Sequence, residues 1–307
     1  MKKLVLSQTC QGTVLETLLM SSEAFSREFT CTFIPNFEIK DGKPGLAATG
    51  ALEAALEDCN VLVYHDVAHY NFPALLARMP ADSLAVKIPY ITSTIYWPTQ
   101  DYQNPCWLAP RGSSALIPWP CKVLSSLIAT TRSRTKAIDA YLNLDLTRHV
   151  DVEANTTRQI EYLRKAEAGT IFSVADFVAE RFASVQLFHL INHPSLPVFL
   201  EVANRILAHL ELPQLEGFPL DPFWNHQMPV HPSIIRHFNL TWCTPDTRFL
   251  VLDKEMTFEE YVVFYVDEYI ARYQYTMYPV ASSSRRLFSS SIKKLKRLFA
   301  SRGRPHA

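Results

Sequence analysis

Lys2-Lys3-Leu4-Val5-Leu6-Ser7-Gln8-Thr9-Cys10-Gln11-Gly12 runs straight into Thr13-Val14-Leu15-Glu16-Thr17-Leu18-Leu19, and this stretch decides the fold. The apolar run Leu4-Val5-Leu6 reads as a buried strand, and Leu15, Leu18 and Leu19 recur at helical spacing after it. A polar turn with Cys10 at its crest lies between them. A strand–turn–helix of this kind leaves the first amides of the helix pointing at the turn. Those amides favour a thiolate at Cys10, and the amides of Gln11 and Gly12 are placed to receive an oxyanion. The competing reading is a small buried hydrophobe, a common fate of free cysteines.

Outward from there, strand-like and helix-like runs alternate through the first hundred residues. Cys31-Thr32-Phe33-Ile34-Pro35, Asn60-Val61-Leu62-Val63-Tyr64 and Leu84-Ala85-Val86-Lys87-Ile88 read as strands, the last stopped by Pro89. Residues 46–58 and 74–79 read as helices between them. Such alternation specifies βαβ units and a parallel sheet covered on both faces. With residues 185–191 as a later strand, the expected fold is α/β, a parallel sheet of about five strands with flanking helices. Ligands bind such sheets beyond the carboxyl ends of the strands. Cys10 stands at one of those ends, and His65-Asp66 at another.

From residue 98 to about 151 the pattern dissolves into Pro, Trp and Tyr, with Trp107, Trp119 and a helical piece over 122–143. This reads as an insertion, about 99–155, that lids or extends the pocket. A helix is expected over 156–168, capped at Asn155 or Thr156, and another over 173–182 with Ser173 as its cap. Residues 197–210 carry Phe199, Val202, Ala203, Ile206 and Leu207 on one helical face. Residues 213–247 are irregular, with six prolines and His226, His231 and His237. Thr257-Phe258-Glu259-Glu260 then forms a capping box that opens a long helix to about Gln274. The expected organisation is one α/β catalytic domain over 1–280 with a helical C-terminal part, followed by a basic tail over 281–307.

Of 307 residues 48% are hydrophobic and only eight are glycine, which suits a large packed core rather than disorder. The formal net charge of zero hides an asymmetry: residues from 269 onward hold nine cations and no acid, leaving 21 cations against 30 acids before them. By charge, the body is not a nucleic-acid binder. In residues 285–302, Leu287, Phe288, Ile292, Leu295, Leu298 and Phe299 alternate with cations at helical spacing. Such a segment lies on an anionic membrane surface or docks on the acidic body. Six cysteines without a C-x-x-C fit neither a zinc knuckle nor a small disulfide scaffold, and suit a reduced cytoplasm. The leading apolar run is three residues, short of the roughly 7–15 of a secretory signal. No run approaches the ~20 apolar residues of a membrane span. The expectation is a cytoplasmic protein with peripheral membrane contact through residues 285–302.

If residues 185–191 run parallel to the first strand, His193 emerges at the same edge as Cys10. A thiol and an imidazole are the minimum apparatus of acyl transfer: one takes the acyl group and the other moves the proton. Asn192 could orient the ring or help bind an oxyanion, and Ser195 could cap the next helix. His65, Asp66 and His69 form a rival cluster, but without an evident third ligand they read as a pocket edge, with no metal. A second His-Pro-Ser, His231-Pro232-Ser233, makes His231 a competitor for the base. Lys87, Arg111 and Arg164 are candidates for phosphate contact by charge alone.

Thr9-Cys10-Gln11-Gly12, Ile88-Pro89, Tyr96-Trp97-Pro98 and above all Phe188-His189-Leu190-Ile191-Asn192-His193-Pro194-Ser195 resemble the WcbI-type polysaccharide biosynthesis acetyltransferases. The resemblance runs from residue 3 to about 245 and takes in Tyr162-Leu163-Arg164-Lys165-Ala166-Glu167 through Phe177-Val178. It implies an enzyme that uses coenzyme A or acetyl-CoA as co-substrate and acetylates a hydroxyl of a saccharide acceptor in capsule or surface-polysaccharide assembly. The strand–nucleophile–helix opening and the late histidine are also similar to SGNH hydrolases, with cysteine in place of serine, which implies an SGNH- or flavodoxin-like core. Leu190 stands where an SGNH acid precedes the histidine, and Thr9 where the family has asparagine. The alternatives are an SGNH-like thioesterase or deacetylase, and a non-catalytic partner in glycan assembly.

Overall fold

Lys2–Gln8 form β1, whose last five residues are buried. Its chain turns at Thr9-Cys10 into α1 (Gln11–Ser21), which buries Val14, Leu15, Leu18 and Leu19. After α2 (Glu23–Glu28), capped by the Ser22 hydroxyl accepting from the Phe25 amide, comes β2 (Phe29–Pro35). A hairpin of β3 (Phe37–Lys40) and β4 (Lys43–Leu46) follows, then α3 (Gly50–Leu56), β5 (Val61–His65), α4 (Phe72–Leu76) and β6 (Leu84–Ile88). This computed structural model describes residues 1–40, 43–68, 70–100, 121–221, 223 and 226–277.

The sheet has the order β2-β1-β5-β6 and all its pairings are parallel. Leu4 pairs with Cys31 and Val61, and Leu6 with Phe33 and Val63, so the carboxyl ends of all four strands lie on one edge. Side chains alternate between faces. Leu4, Leu6, Val61 and Val63 join Leu15, Leu18 and Leu19 of α1 in one core, while Val5, Leu62 and Tyr64 join Leu52, Leu56 and Phe72 of α3 and α4 in the other. Each fully buried aliphatic side chain contributes about 1.5–3 kcal/mol. The two-faced burial explains why the strands read as unbroken apolar runs.

The second half wraps the first core. It holds α5 (Lys122–Thr131), α6 (Arg134–Leu142), a short 3-10 turn (Leu146–Arg148), α7 (Val152–Glu167) and α8 (Val174–Arg181). The helix expected over 122–143 is broken because Arg132 takes a left-handed conformation and Ser133 caps a new helix. The cap of α7 is Asp151, accepting from the Ala154 amide at 2.9 Å, and the Asn155 side chain reaches Thr94 instead.

Residues 185–191 do not add a fifth parallel strand among the described residues. Phe188–Leu190 (β7) pairs antiparallel with His193–Pro194 (β8), and its backbone groups are satisfied by loops. Ser93 donates to Ile191 O at 2.8 Å, Met228 to His189 O at 2.9 Å, and the Tyr96 hydroxyl to Val185 O at 3.1 Å. An apolar run fits any fully buried extended segment, so periodicity alone could not separate these outcomes. The chain continues through α9 (Leu196–His209), α10 (Pro232–Phe238), the hairpin β9 (Phe249–Val251) and β10 (Lys254–Met256), and α11 (Phe258–Met277). The expected capping box opens α11, with Thr257 N donating to Glu260 at 2.8 Å and Glu260 N to the Thr257 hydroxyl at 3.3 Å. No helix among the described residues is long and apolar enough to cross a membrane.

Candidate active site

Gln11 assembles the site. Its side chain is buried, and its amide nitrogen donates to Ile91 O at 2.8 Å and to Asn192 O at 3.0 Å. One residue at the start of α1 thereby clamps the loop after β6 and the loop before α9. The second loop carries His193, whose Nε2 lies 4.0 Å from Cys10 Sγ. These residues are 183 apart in sequence, yet both lie at the carboxyl edge of the sheet. His193 arrives there on the antiparallel β8, not on a parallel strand.

Gly12 lets α1 pack closely on β2: a Cβ there would fall 2.4 Å from the Phe33 ring and 3.1 Å from Gln8 Cβ, so any larger residue must displace that ring. Its amide donates to Thr9 O at 2.9 Å and is not free for an oxyanion. The Gln11 amide makes a long 3.5 Å contact with the Thr9 hydroxyl and faces the Cys10 sulfur, so it is the more available of the two donors.

The electrostatics also differ from expectation. Burial pushes the Cys10 thiol above its ordinary value and outweighs the Thr9 hydroxyl and the amides of residues 10 and 11, which favour the thiolate. Desolvation and the neighbouring imidazoles of His226 and His189 hold His193 down at about 3. The resting pair is therefore neutral thiol and neutral imidazole, and the helix amides expected to ionise Cys10 do not prevail. Phe223 stacks on the His193 ring (centroids 4.2 Å, interplanar angle 11°), and His226 meets it edge-on at 6.0 Å.

The same sheet edge gathers buried polar side chains. Ser7, Gln8, Asn36, Asn192 and His193 each hold a buried polar atom without a hydrogen-bond partner among the described residues, whereas buried polar groups are normally satisfied. His65 is fully buried there, with burial pulling it down to about 3.

The other predicted residues are dispersed. Asp66 forms an ion pair with Lys87 at 2.8 Å, on the same edge as Cys10. Arg164 pairs with Asp176 at 3.1 Å, tying α7 to α8 on an exposed surface. His231 is buried structure: its Nδ1 accepts from Ser233 N at 3.1 Å and its Nε2 meets Tyr141 O at 3.3 Å. His69, Arg111, Trp107, Trp119 and residues 285–302 lie outside the described residues.

Sequence reasoning missed Asp221. Its carboxylate, 20% exposed, accepts from His189 Nε2 at 2.8 Å, Leu196 N at 2.8 Å and Phe223 N at 3.1 Å. Burial alone would raise its pKa, but these donors outweigh it and hold the carboxyl below its ordinary range. The one available signal was Asp221-Pro222, a turn former in an irregular stretch.

The fold and this edge define an α/β protein with a cysteine–histidine pair set over the carboxyl ends of a parallel sheet. Residues 3–215 match the family model of the polysaccharide biosynthesis enzyme WcbI. The chain belongs to that family. A solved structure described as WcbI, a novel polysaccharide biosynthesis enzyme, native and without a disulfide bond between coenzyme A and one of its cysteines, shares the fold at a TM-score of 0.72. It is 19% identical, with 88% of this chain and 90% of that one covered. A manganese-bound periplasmic metal-binding protein from Candidatus Liberibacter asiaticus reaches a TM-score of only 0.22 at 11% identity, over 88% of this chain and 99% of that one. No curated protein matches the sequence.

Proposed function

We propose that this chain is an acyltransferase that moves an acetyl group from acetyl-CoA to a saccharide hydroxyl during surface-polysaccharide assembly. The observation that carries this reading is the 4.0 Å approach of Cys10 Sγ to His193 Nε2 on the ligand-binding edge of the sheet. Family membership supports the polysaccharide context, and the description of the similar WcbI structure links coenzyme A with a cysteine of that protein.

The neutral pair defines the sequence of proton movements. A neutral His193 can accept the thiol proton as Sγ attacks the thioester carbonyl, so the charged pair arises only as the reaction proceeds. The oxyanion formed meets the Gln11 amide, the more available donor of the turn. The imidazolium returns its proton to the departing CoA sulfur, leaving an acetyl group on Cys10. His193 then takes the proton of the acceptor hydroxyl as that oxygen attacks the acetyl carbonyl, and gives it back to Sγ. Lys87 is a cation on this edge for a CoA phosphate. Its exposed ion pair with Asp66 is worth under about 1 kcal/mol, so exchanging it for phosphate is cheap.

The test measures release of CoA thiol from acetyl-CoA with and without a panel of neutral and acidic monosaccharides. Acceptor-dependent release, lost in His193→Ala with coenzyme A binding retained, supports the reading. Release that is independent of every acceptor assigns a thioesterase, and no release with the wild type removes the acyl-transfer reading.

A further inference from the structure

We infer that Asp221 is a positioning residue for His193, acting through the ring of Phe223. The inference rests on the proposed role of His193 as the proton carrier. In the familiar triad an acid on the far ring nitrogen fixes the imidazole. Here His193 Nδ1 has no hydrogen-bond partner among the described residues, and the face of the ring is held instead.

The hold is built from one carboxylate. Asp221 accepts from the Phe223 amide, which folds the chain back so that the Phe223 ring lies flat on His193. The same carboxylate anchors that turn to two elements next to His193. Gln186 Nε2 can only donate, so its 3.2 Å contact makes His189 Nδ1 an acceptor and leaves His189 Nε2 to donate to Asp221. His189 sits on β7, the strand paired with His193-Pro194. Asp221 also accepts from Leu196, the first residue of α9, a job left open because the Ser195 hydroxyl donates to Gln186 O. Phe199 of α9 braces Phe223 at 5.6 Å. The plate, the strand paired with the imidazole's own and the following helix are thus tied at a single half-buried acid. Asp221 and Phe223 lie beyond the 3–215 family match, so the matched residues do not include the device that holds His193.

The test combines kinetics with histidine ring NMR on the full chain. Asp221→Asn and Phe223→Leu are each expected to cut kcat at least tenfold while the KM for acetyl-CoA stays within twofold. In both, the His193 ring proton shifts, read at pH 7.5, lose the displacement that the ring current of the stacked Phe223, 4.2 Å away between centroids, imposes on them. Phe223→Tyr, which keeps a ring in place, recovers the wild-type shifts. His193 shifts unchanged in Asp221→Asn, or the same with leucine as with tyrosine at 223, overturn the inference. The shifts are read without acetyl-CoA, so they are independent of whether the wild type transfers an acetyl group.

Discussion

Gln11→Leu isolates the contact that assembles the site. Leucine fills nearly the same volume, so the change removes the two donated hydrogen bonds without opening a large cavity. The carbonyls of Ile91 and Asn192 lose the partner that reaches them at 2.8 and 3.0 Å. The Ile91 bond is buried and the Asn192 bond partly so, which puts the loss at about 2–4 kcal/mol when each stranded acceptor costs about 1–3. That is a large share of the ~5–15 kcal/mol by which a domain is stable. Urea unfolding of the two proteins at pH 7.5 reads the difference as a lower midpoint at constant slope. Activity falls further than stability, because freeing the Asn192 loop separates Nε2 from Sγ, and a displacement of 1 Å at a reacting pair can cost a hundredfold. A variant within 0.5 kcal/mol of wild type, with full acetyl-CoA turnover, would refute the clamp.

Acid is expected to destabilise the protein well above the carboxylate range. Burial holds His65 and His193 at about 3 and His231 at about 4, so the unfolded chain binds protons below pH 6.5 that the folded one refuses. Stability then falls as pH drops, by about 1.4 kcal/mol per unit per histidine, or about 6 kcal/mol for the three between pH 7.5 and 5. Equal unfolding free energies at the two pH values would contradict this. Gly12→Ala sets a methyl group against the Phe33 ring and is expected to cost about 1–3 kcal/mol. Adding Phe33→Leu should recover part of that loss, and strictly additive losses in the double variant would remove the steric explanation.

What was legible in the sequence follows from which interactions are local. The four sheet strands and the α1 face could be read because buried strands and an amphipathic helix carry their pattern within a few residues. The β3–β4 hairpin was overlooked although Asp41-Gly42 is a hairpin signal. Cys10 and His193 were chosen correctly as neighbours, but through a parallel fifth strand that does not form; the antiparallel β7–β8 turn and the Gln11 clamp deliver the histidine instead. Gln11 was read for its amide, whereas its side chain does the larger structural work. The Cys10 thiol was expected to be ionised by the helix start, and desolvation reverses that, a balance set by residues far away in sequence. Asp221 carried only the turn signal of Asp221-Pro222, since its partner His189 lies 32 residues before it and nothing local marks that pairing.

The central claim is that Cys10 carries the acyl group, and it is tested most directly by rapid quenching after mixing with acetyl-CoA in the absence of acceptor, followed by peptide mass spectrometry. The account predicts one acetyl group on the peptide containing Cys10, absent in Cys10→Ala and discharged when a competent saccharide is added before the quench. Acetyl-CoA turnover at the wild-type rate in Cys10→Ala, with no acetyl group on Cys10 in the native protein, would contradict it.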